Sequence, residues 1–266
     1  MKVLEERFAV HLDDYKHYDT EKLRKHFLVE NIFTADQVEF TYTHYERLMV
    51  GGVMPVIKPV VLETYDQLKS EFFLARRELG AINIGGSGKV SVDGEIFEIG
   101  TKEALYIGRG AKEVIFSSDD SNNPAKFYLN STPAHQTYPT KKVNKENSKV
   151  LHMGAGDTCN ERDIYQLMIS TVLDTCQLQM GMTELKPGSI WNTMPMHTHS
   201  RRMEAYFYFG LSEGQQVCHF MGEPQQTRHI WVGSEQAVVS PPWSIHSGCG
   251  TSNYAFIWGM AGENLD

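Results

Sequence analysis

Between Trp191 and Gly210 the chain places His197, His199 and Glu204 within eight residues of one another, a residue set suited to holding a metal ion. In an extended segment alternate side chains share a face, so His197 and His199 can reach one ion together. Glu204 lies an odd step beyond His199. It joins that face only if Ser200-Arg201-Arg202-Met203 turns the chain. A fourth ligand is expected from His246, which follows the strand-breaking Pro241-Pro242 pair in Val238-Val-Ser-Pro-Pro-Trp-Ser-Ile-His-Ser-Gly-Cys-Gly250. A lone histidine in a strand is ordinarily packed or solvated, and it is the conjunction of the four that points to a metal. Three imidazoles and a carboxylate suit Zn, Fe, Mn or Ni on ligand type alone. His219, His229, His152, His135 and the N-terminal histidines lack a second ligand at such spacing and are read as structural.

The elements that must position these ligands are short strands. Ala81-Ile-Asn-Ile, Lys89-Val-Ser-Val, Glu95-Ile-Phe-Glu-Ile, Ala104-Leu-Tyr-Ile and Glu113-Val-Ile-Phe are separated by Gly, Asp-Gly and Asn turn signals. A second strand-rich stretch runs from Asp163-Ile-Tyr-Gln-Leu-Met-Ile through Glu204-Ala-Tyr-Phe-Tyr-Phe to Tyr254-Ala-Phe-Ile-Trp. The pattern predicts a mainly all-β chain of sandwich or barrel type. Asp19-Thr20 predicts a capped short helix with Leu23, Phe27 and Leu28 on one face, and Met49 to Leu62 reads as loop and strand. Gly85-Gly-Ser-Gly-Lys89 fails the phosphate-loop spacing and is expected to be a hairpin turn. The polar segment 118–148 is the expected junction between two related halves, a ligand-free one over 1–140 and a metal-binding one over 141–266.

Composition bounds the function. The 266 residues hold 41% apolar and 22% charged side chains, ordinary for a globular protein able to bury a sizeable core. A formal net charge of -8 argues against nucleic-acid partners and anionic membranes. No apolar run is long enough to span a bilayer, the N-terminus lacks a secretory signal, and the expected compartment is the cytoplasm. The four cysteines form no C-x-x-C pair.

His197-Thr-His199, Glu204 and the Pro241 to His246 spacing resemble the two motifs of the cupin superfamily, whose fold is a double-stranded β-helix, or jelly-roll. The flanks depart from those motifs: Gly188 and Gly210 are displaced, and Trp243 stands where the second motif has glycine. Along nearly its whole length the chain also resembles the 4-deoxy-L-threo-5-hexosulose-uronate ketol-isomerases of pectin breakdown. The resemblance is carried by Asn160-Glu-Arg-Asp-Ile-Tyr-Gln, Met194-Pro-Met-His-Thr-His-Ser-Arg-Arg-Met-Glu-Ala-Tyr-Phe-Tyr-Phe and Ser240-Pro-Pro-Trp-Ser-Ile-His-Ser-Gly. It implies a cytosolic, usually hexameric aldose–ketose isomerase. The same resemblance implies one Zn2+ per subunit, on His197, His199, Glu204 and His246.

The implied reaction converts 5-dehydro-4-deoxy-D-glucuronate to 3-deoxy-D-glycero-2,5-hexodiulosonate. A proton leaves C2 and one returns at C1, while charge gathers on oxygen, where a divalent ion can stabilise it. Alternation puts Tyr206 and Tyr208 on the face of Glu204 as candidate pocket residues. Arg162, Arg201 and Arg202 are candidates for gripping the substrate carboxylate. The residues do not single out the general base. A metal-dependent dioxygenase using Fe(II) on the same ligands and a non-catalytic sugar-sensing protein are the alternative readings.

Overall fold

The structure is a computed structural model and describes residues 4–263. Two β-barrels of matching topology lie back to back. In the first, a seven-stranded sheet runs in the order Glu5–Arg7, Val38–Thr43, Met49–Val53, Phe127–Pro133, Arg77–Asn83, Ala104–Ile107, Lys141–Val143. It faces a four-stranded sheet of Val60–Val61, Val114–Ser118, Gly88–Val92 and Glu95–Ile99. The second barrel repeats the plan. Its seven strands are Lys149–Met153, Arg162–Met168, Gln179–Leu185, Ala255–Gly262, Arg202–Phe209, Gln236–Ser240 and Leu28–Val29. Opposite them lie Trp191–Asn192, Ser247–Gly250, Val217–Glu223 and Gln226–Val232.

The side-chain period of two divides each large sheet between two cores. From Arg202–Phe209, Met203, Ala205, Phe207 and Phe209 point outward and pack against the first barrel, where Phe207 stacks on Tyr128 at 4.3 Å. Tyr206 and Tyr208 point inward, with Phe256, Trp258 and Met260 of the neighbouring strand. The interior of the first barrel is filled by aliphatic and aromatic groups such as Val53, Leu79, Leu105, Phe116 and Leu129.

Strand pairing moves the expected division. Lys141–Val143 pairs with Ala104–Ile107, so the first barrel continues past residue 140. In the other direction, Leu28–Val29 pairs with Val238 and Ala237 of the second barrel. The segment 118–148 is therefore no simple junction: the strand expected within it at Lys126-Phe-Tyr-Leu-Asn forms over Phe127–Pro133 and is central to the first sheet. The chain before residue 62 also supplies more strand than its composition suggested.

The helix forms over Thr20–Phe27, with the Asp19 side chain accepting from the Lys22 N–H, and it buries Leu23 and Phe27. Leu28 is buried as the first residue of the following strand instead of the helix. The Gly85 turn does not close a hairpin, since the strands it joins lie in different sheets; the hairpin turn is at Asp93-Gly94, where both residues have positive φ. Among the described residues, no helix is long and apolar enough to cross a membrane.

Candidate metal centre and its pocket

His197 and His199 sit in an irregular loop, outside any strand. The loop leaves Trp191–Asn192 through Thr193, at φ 51, and a cis Met194–Pro195 bond, and rejoins the sheet at Arg202 after a turn at Ser200-Arg201. That turn brings Glu204 back towards the histidines. His246 arrives from the other sheet, one residue before Ser247–Gly250. Its approach needs Gly248: a Cβ there would lie 2.8 Å from Asn192 Nδ2 and 3.0 Å from the Tyr208 hydroxyl.

The ligand nitrogens of His197, His199 and His246 lie within 4.8 Å of one another. Glu204 Oε2 lies 3.3 Å from His199 Nε2 and 3.0 Å from His246 Nε2. The His246 contact is close without being a directed hydrogen bond, and Nε2 is left as a buried nitrogen with no hydrogen-bond partner. His197 Nδ1 lies 3.1 Å from the Pro195 carbonyl. A carbonyl only accepts, so Nδ1 carries the proton and Nε2 keeps its lone pair for a ligand. Burial lowers the His197 pKa and favours the neutral, ligating form. Burial also acts to raise the Glu204 carboxyl, but the imidazoles of His246 and His199 outweigh it and bring it to about 2. A neutral nitrogen on His197, an anionic carboxylate on Glu204 and an unpartnered buried nitrogen on His246 suit a divalent cation.

These side chains open onto a cavity of about 340 Å³. The large sheet supplies one wall from alternate residues: Arg162, Ile164 and Gln166; Arg202, Glu204 and Tyr206; Phe256, Trp258 and Met260. The histidine loop adds Thr193, Met194 and Pro195. Tyr206 OH shares a 2.8 Å hydrogen bond with Thr193 Oγ1. Burial, and then the charge of Glu204, raise its pKa well above the ordinary phenol value, so at neutral pH the phenol carries its proton.

A family model described as the KduI/IolB family matches residues 27–266. The chain belongs to this family. A 4-deoxy-L-threo-5-hexosulose-uronate ketol-isomerase from Formosa agariphila is 58% identical over 262 residues, 98% of this chain and 94% of that protein. A protein of the same name from Yersinia pseudotuberculosis is 56% identical, over 97% of this chain and 94% of its own. Among solved structures, an IolB-like protein from Salmonella typhimurium superposes with a TM-score of 0.72 at 14% identity, covering 89% of this chain and 93% of that one. A Bacillus subtilis oxalate decarboxylase mutant gives 0.58 at 11% identity, covering 82% and 69%. With the paired sheets above, those likenesses identify the fold as cupin-type.

Not every expected pocket residue of this family member lies in the cavity. Arg162, Arg202 and Tyr206 line it. Tyr208 shares their face but lies deeper, fully buried, with its hydroxyl 2.7 Å from His219 Nδ1. Arg201 lines a different cavity, with Glu46, His135 and Glu263, because the turn ends between the two arginines and sends them to opposite sides. His219 is fully buried against Tyr206 and Tyr208, its pKa lowered to about 3 by burial and by neighbouring His246; His229 is exposed. Sequence reasoning missed Thr193, Gln166 and Thr183. Counting in twos from Arg162 would have found Gln166.

Proposed function

We propose that the protein is a metal-dependent ketol-isomerase that converts 5-dehydro-4-deoxy-D-glucuronate to 3-deoxy-D-glycero-2,5-hexodiulosonate, the type of reaction for which its relatives are named. The observation that carries the reading is the convergence of His197, His199 and His246 on a cavity, in a chain more than half identical to those relatives. His197, His199, His246 and Glu204 would hold the ion, with zinc as the proposed metal. A bound divalent cation supplies Lewis-acid stabilisation of charge on the substrate oxygens.

Other groups of the chain bind and orient the substrate. Tyr206, neutral and tied to Thr193, offers a hydroxyl proton to a sugar oxygen at the cavity wall. Phe256, Trp258, Met260 and Ile164 present apolar surface to the bound sugar and displace water from it. No external oxidant or reductant is needed: one proton leaves C2 and one is returned at C1, while the C2 hydroxyl loses its proton and the C1 oxygen gains one. The reading includes a cytosolic hexamer, as the family resemblance implies. An oxygenase or a sugar sensor is not favoured, because relatives covering nearly the whole chain carry the isomerase name.

The test is metal quantification of the purified protein, with anaerobic turnover of the uronate followed by product chromatography. We expect close to one zinc per subunit, turnover without oxygen, and loss of turnover in chelator. Metal-loaded protein that leaves the uronate unchanged, or that consumes oxygen as it acts, would refute the reading.

A further inference from the structure

Arg162 is only 7% exposed, and it lines the cavity. Among the described residues no carboxylate pairs with it, and its Nη1 donates to the Asn160 carbonyl at 2.8 Å. The adjacent carboxylate does not serve: Asp163 projects from the other face of the strand, where Lys186 and His152 occupy it. Proteins seldom bury a guanidinium without a counter-ion, because desolvation of the charge then goes uncompensated. Here an anion from outside the chain would complete the pairing.

Position says which anion. Arg162 begins Arg162–Met168, and Gln179–Leu185 and Ala255–Gly262 separate that strand from the one carrying Glu204. Three steps at roughly 4.8 Å put the two on opposite sides of the curved wall. A ligand that meets both the imidazoles and Arg162 is therefore extended and anionic at its far end. Arg202 lies beside Glu204 and is partly solvated, so it can screen its own charge.

We propose that Arg162 anchors the substrate, its guanidinium holding the carboxylate of the sugar acid at the end of the cavity away from the imidazoles. This rests on the ketol-isomerase reading and adds the residue that selects uronates over neutral aldoses. A fork of parallel N–H donors suits a carboxylate held in two places, which a lysine ammonium does not reproduce.

The experiment compares the uronate with its methyl ester in wild type, Arg162→Gln and Arg162→Lys, with metal content and thermal melts measured for each. In wild type the ester should show a KM about 10- to 100-fold above that of the acid, as expected for loss of a charge-assisted pair. Arg162→Gln should raise the KM of the acid by a similar factor, leave the ester's KM unchanged, and keep kcat near wild type for both. Arg162→Lys should recover part of the loss for the acid alone. A variant that weakens acid and ester equally, or that lowers kcat at constant KM, assigns Arg162 a structural role and overturns the proposal. Should Arg162→Gln fail to fold, wild type indifferent to esterification, or Arg162→Lys indistinguishable from wild type on the acid, would overturn it as well. Metal-loaded wild type that isomerises neither sugar overturns the ketol-isomerase reading along with it.

Discussion

Glu78 belongs to the first barrel, yet it holds the second in place. Its carboxylate is completely buried and accepts four hydrogen bonds: from Tyr106 OH at 2.7 Å and the backbone N–H groups of Cys176, Gln177 and Leu178 at 2.8, 2.7 and 2.8 Å. Those three residues lead directly into Gln179–Leu185, which brings Thr183 to the cavity wall. In Glu78→Gln one carboxylate oxygen becomes an NH2. Tyr106 can adapt by accepting, but the Cys176 N–H faces another donor, and the remaining bonds lose the help of the charge. One orphaned buried donor plus that weakening amounts to a destabilisation of about 2 to 4 kcal/mol. Glu78→Ala orphans all the donors and opens a cavity, and should cost more. Tyr106→Phe removes one donor from a carboxylate that keeps three, which should cost only about 1 kcal/mol. Urea unfolding followed by tyrosine and tryptophan fluorescence measures the series. A Glu78→Gln midpoint within experimental error of wild type, or a Tyr106→Phe loss as large as that of Glu78→Gln, would refute this account of the clamp.

His246→Ala should abolish metal retention in a purified sample while the melting profile stays cooperative, because strand pairing on both sides of Ser247–Gly250 holds the loop; full metal content would remove His246 from the ligand set. Tyr208→Phe strips the hydroxyl from His219 Nδ1, and we expect about 1 to 2 kcal/mol lost in urea titration with KM unchanged, since Tyr208 does not line the cavity. Glu184 is bound by Lys102 of one barrel and by Lys145. Burial acts to raise its pKa, and the two lysines outweigh burial and lower it below the ordinary 4.5. A carboxyl with a depressed folded-state pKa stabilises above its unfolded value and loses that contribution as pH falls through the folded one. The stability gap between wild type and Glu184→Gln should therefore be flat near neutrality and close below about pH 4.5; a gap that widens on acidification would contradict the pairing.

What could be read from the chain depended on whether the signal was periodic or positional. Alternation in Glu204-Ala-Tyr-Phe-Tyr-Phe correctly puts Tyr206 and Tyr208 on the inward face, but a period of two carries no depth, and only Tyr206 reaches the cavity. Arg201 and Arg202 are neighbours in sequence, and the end of one turn decides which of them faces the pocket. His197 and His199 were expected to share a strand face; they meet through an irregular loop, whose geometry rests on Thr193 in the left-handed region. Leu28–Val29 gave no local warning that it would complete the sheet of the distant barrel, because two residues cannot display a pattern. The repeated order of short strands was legible, and it reappears in the matching order of the two pairs of sheets.

Between the first two strands of the first barrel, the chain packs onto the second. Tyr15 stacks on Trp243 at 4.7 Å, and Phe27 meets the same indole edge-on at 6.2 Å. Trp243 occupies the loop that ends at His246, and that loop is also tied down through Ser244 Oγ, which accepts from Gly222 N, and through Ile245 N, which donates to Gly222 O. The Tyr15 hydroxyl in turn donates to the Gln226 carbonyl and accepts from Glu223 N, holding the hairpin beside the loop. A segment lying between the first two strands of the first barrel in sequence thus packs against the loop that carries His246 in the second. The departure at Trp243 from the glycine of the usual motif makes sense on these terms: where a glycine would leave the turn to its own backbone, the indole gives Tyr15 and Phe27 something to grip. The outer face of the first barrel and the segment between its first two strands together support the wall and the His246 loop of the second.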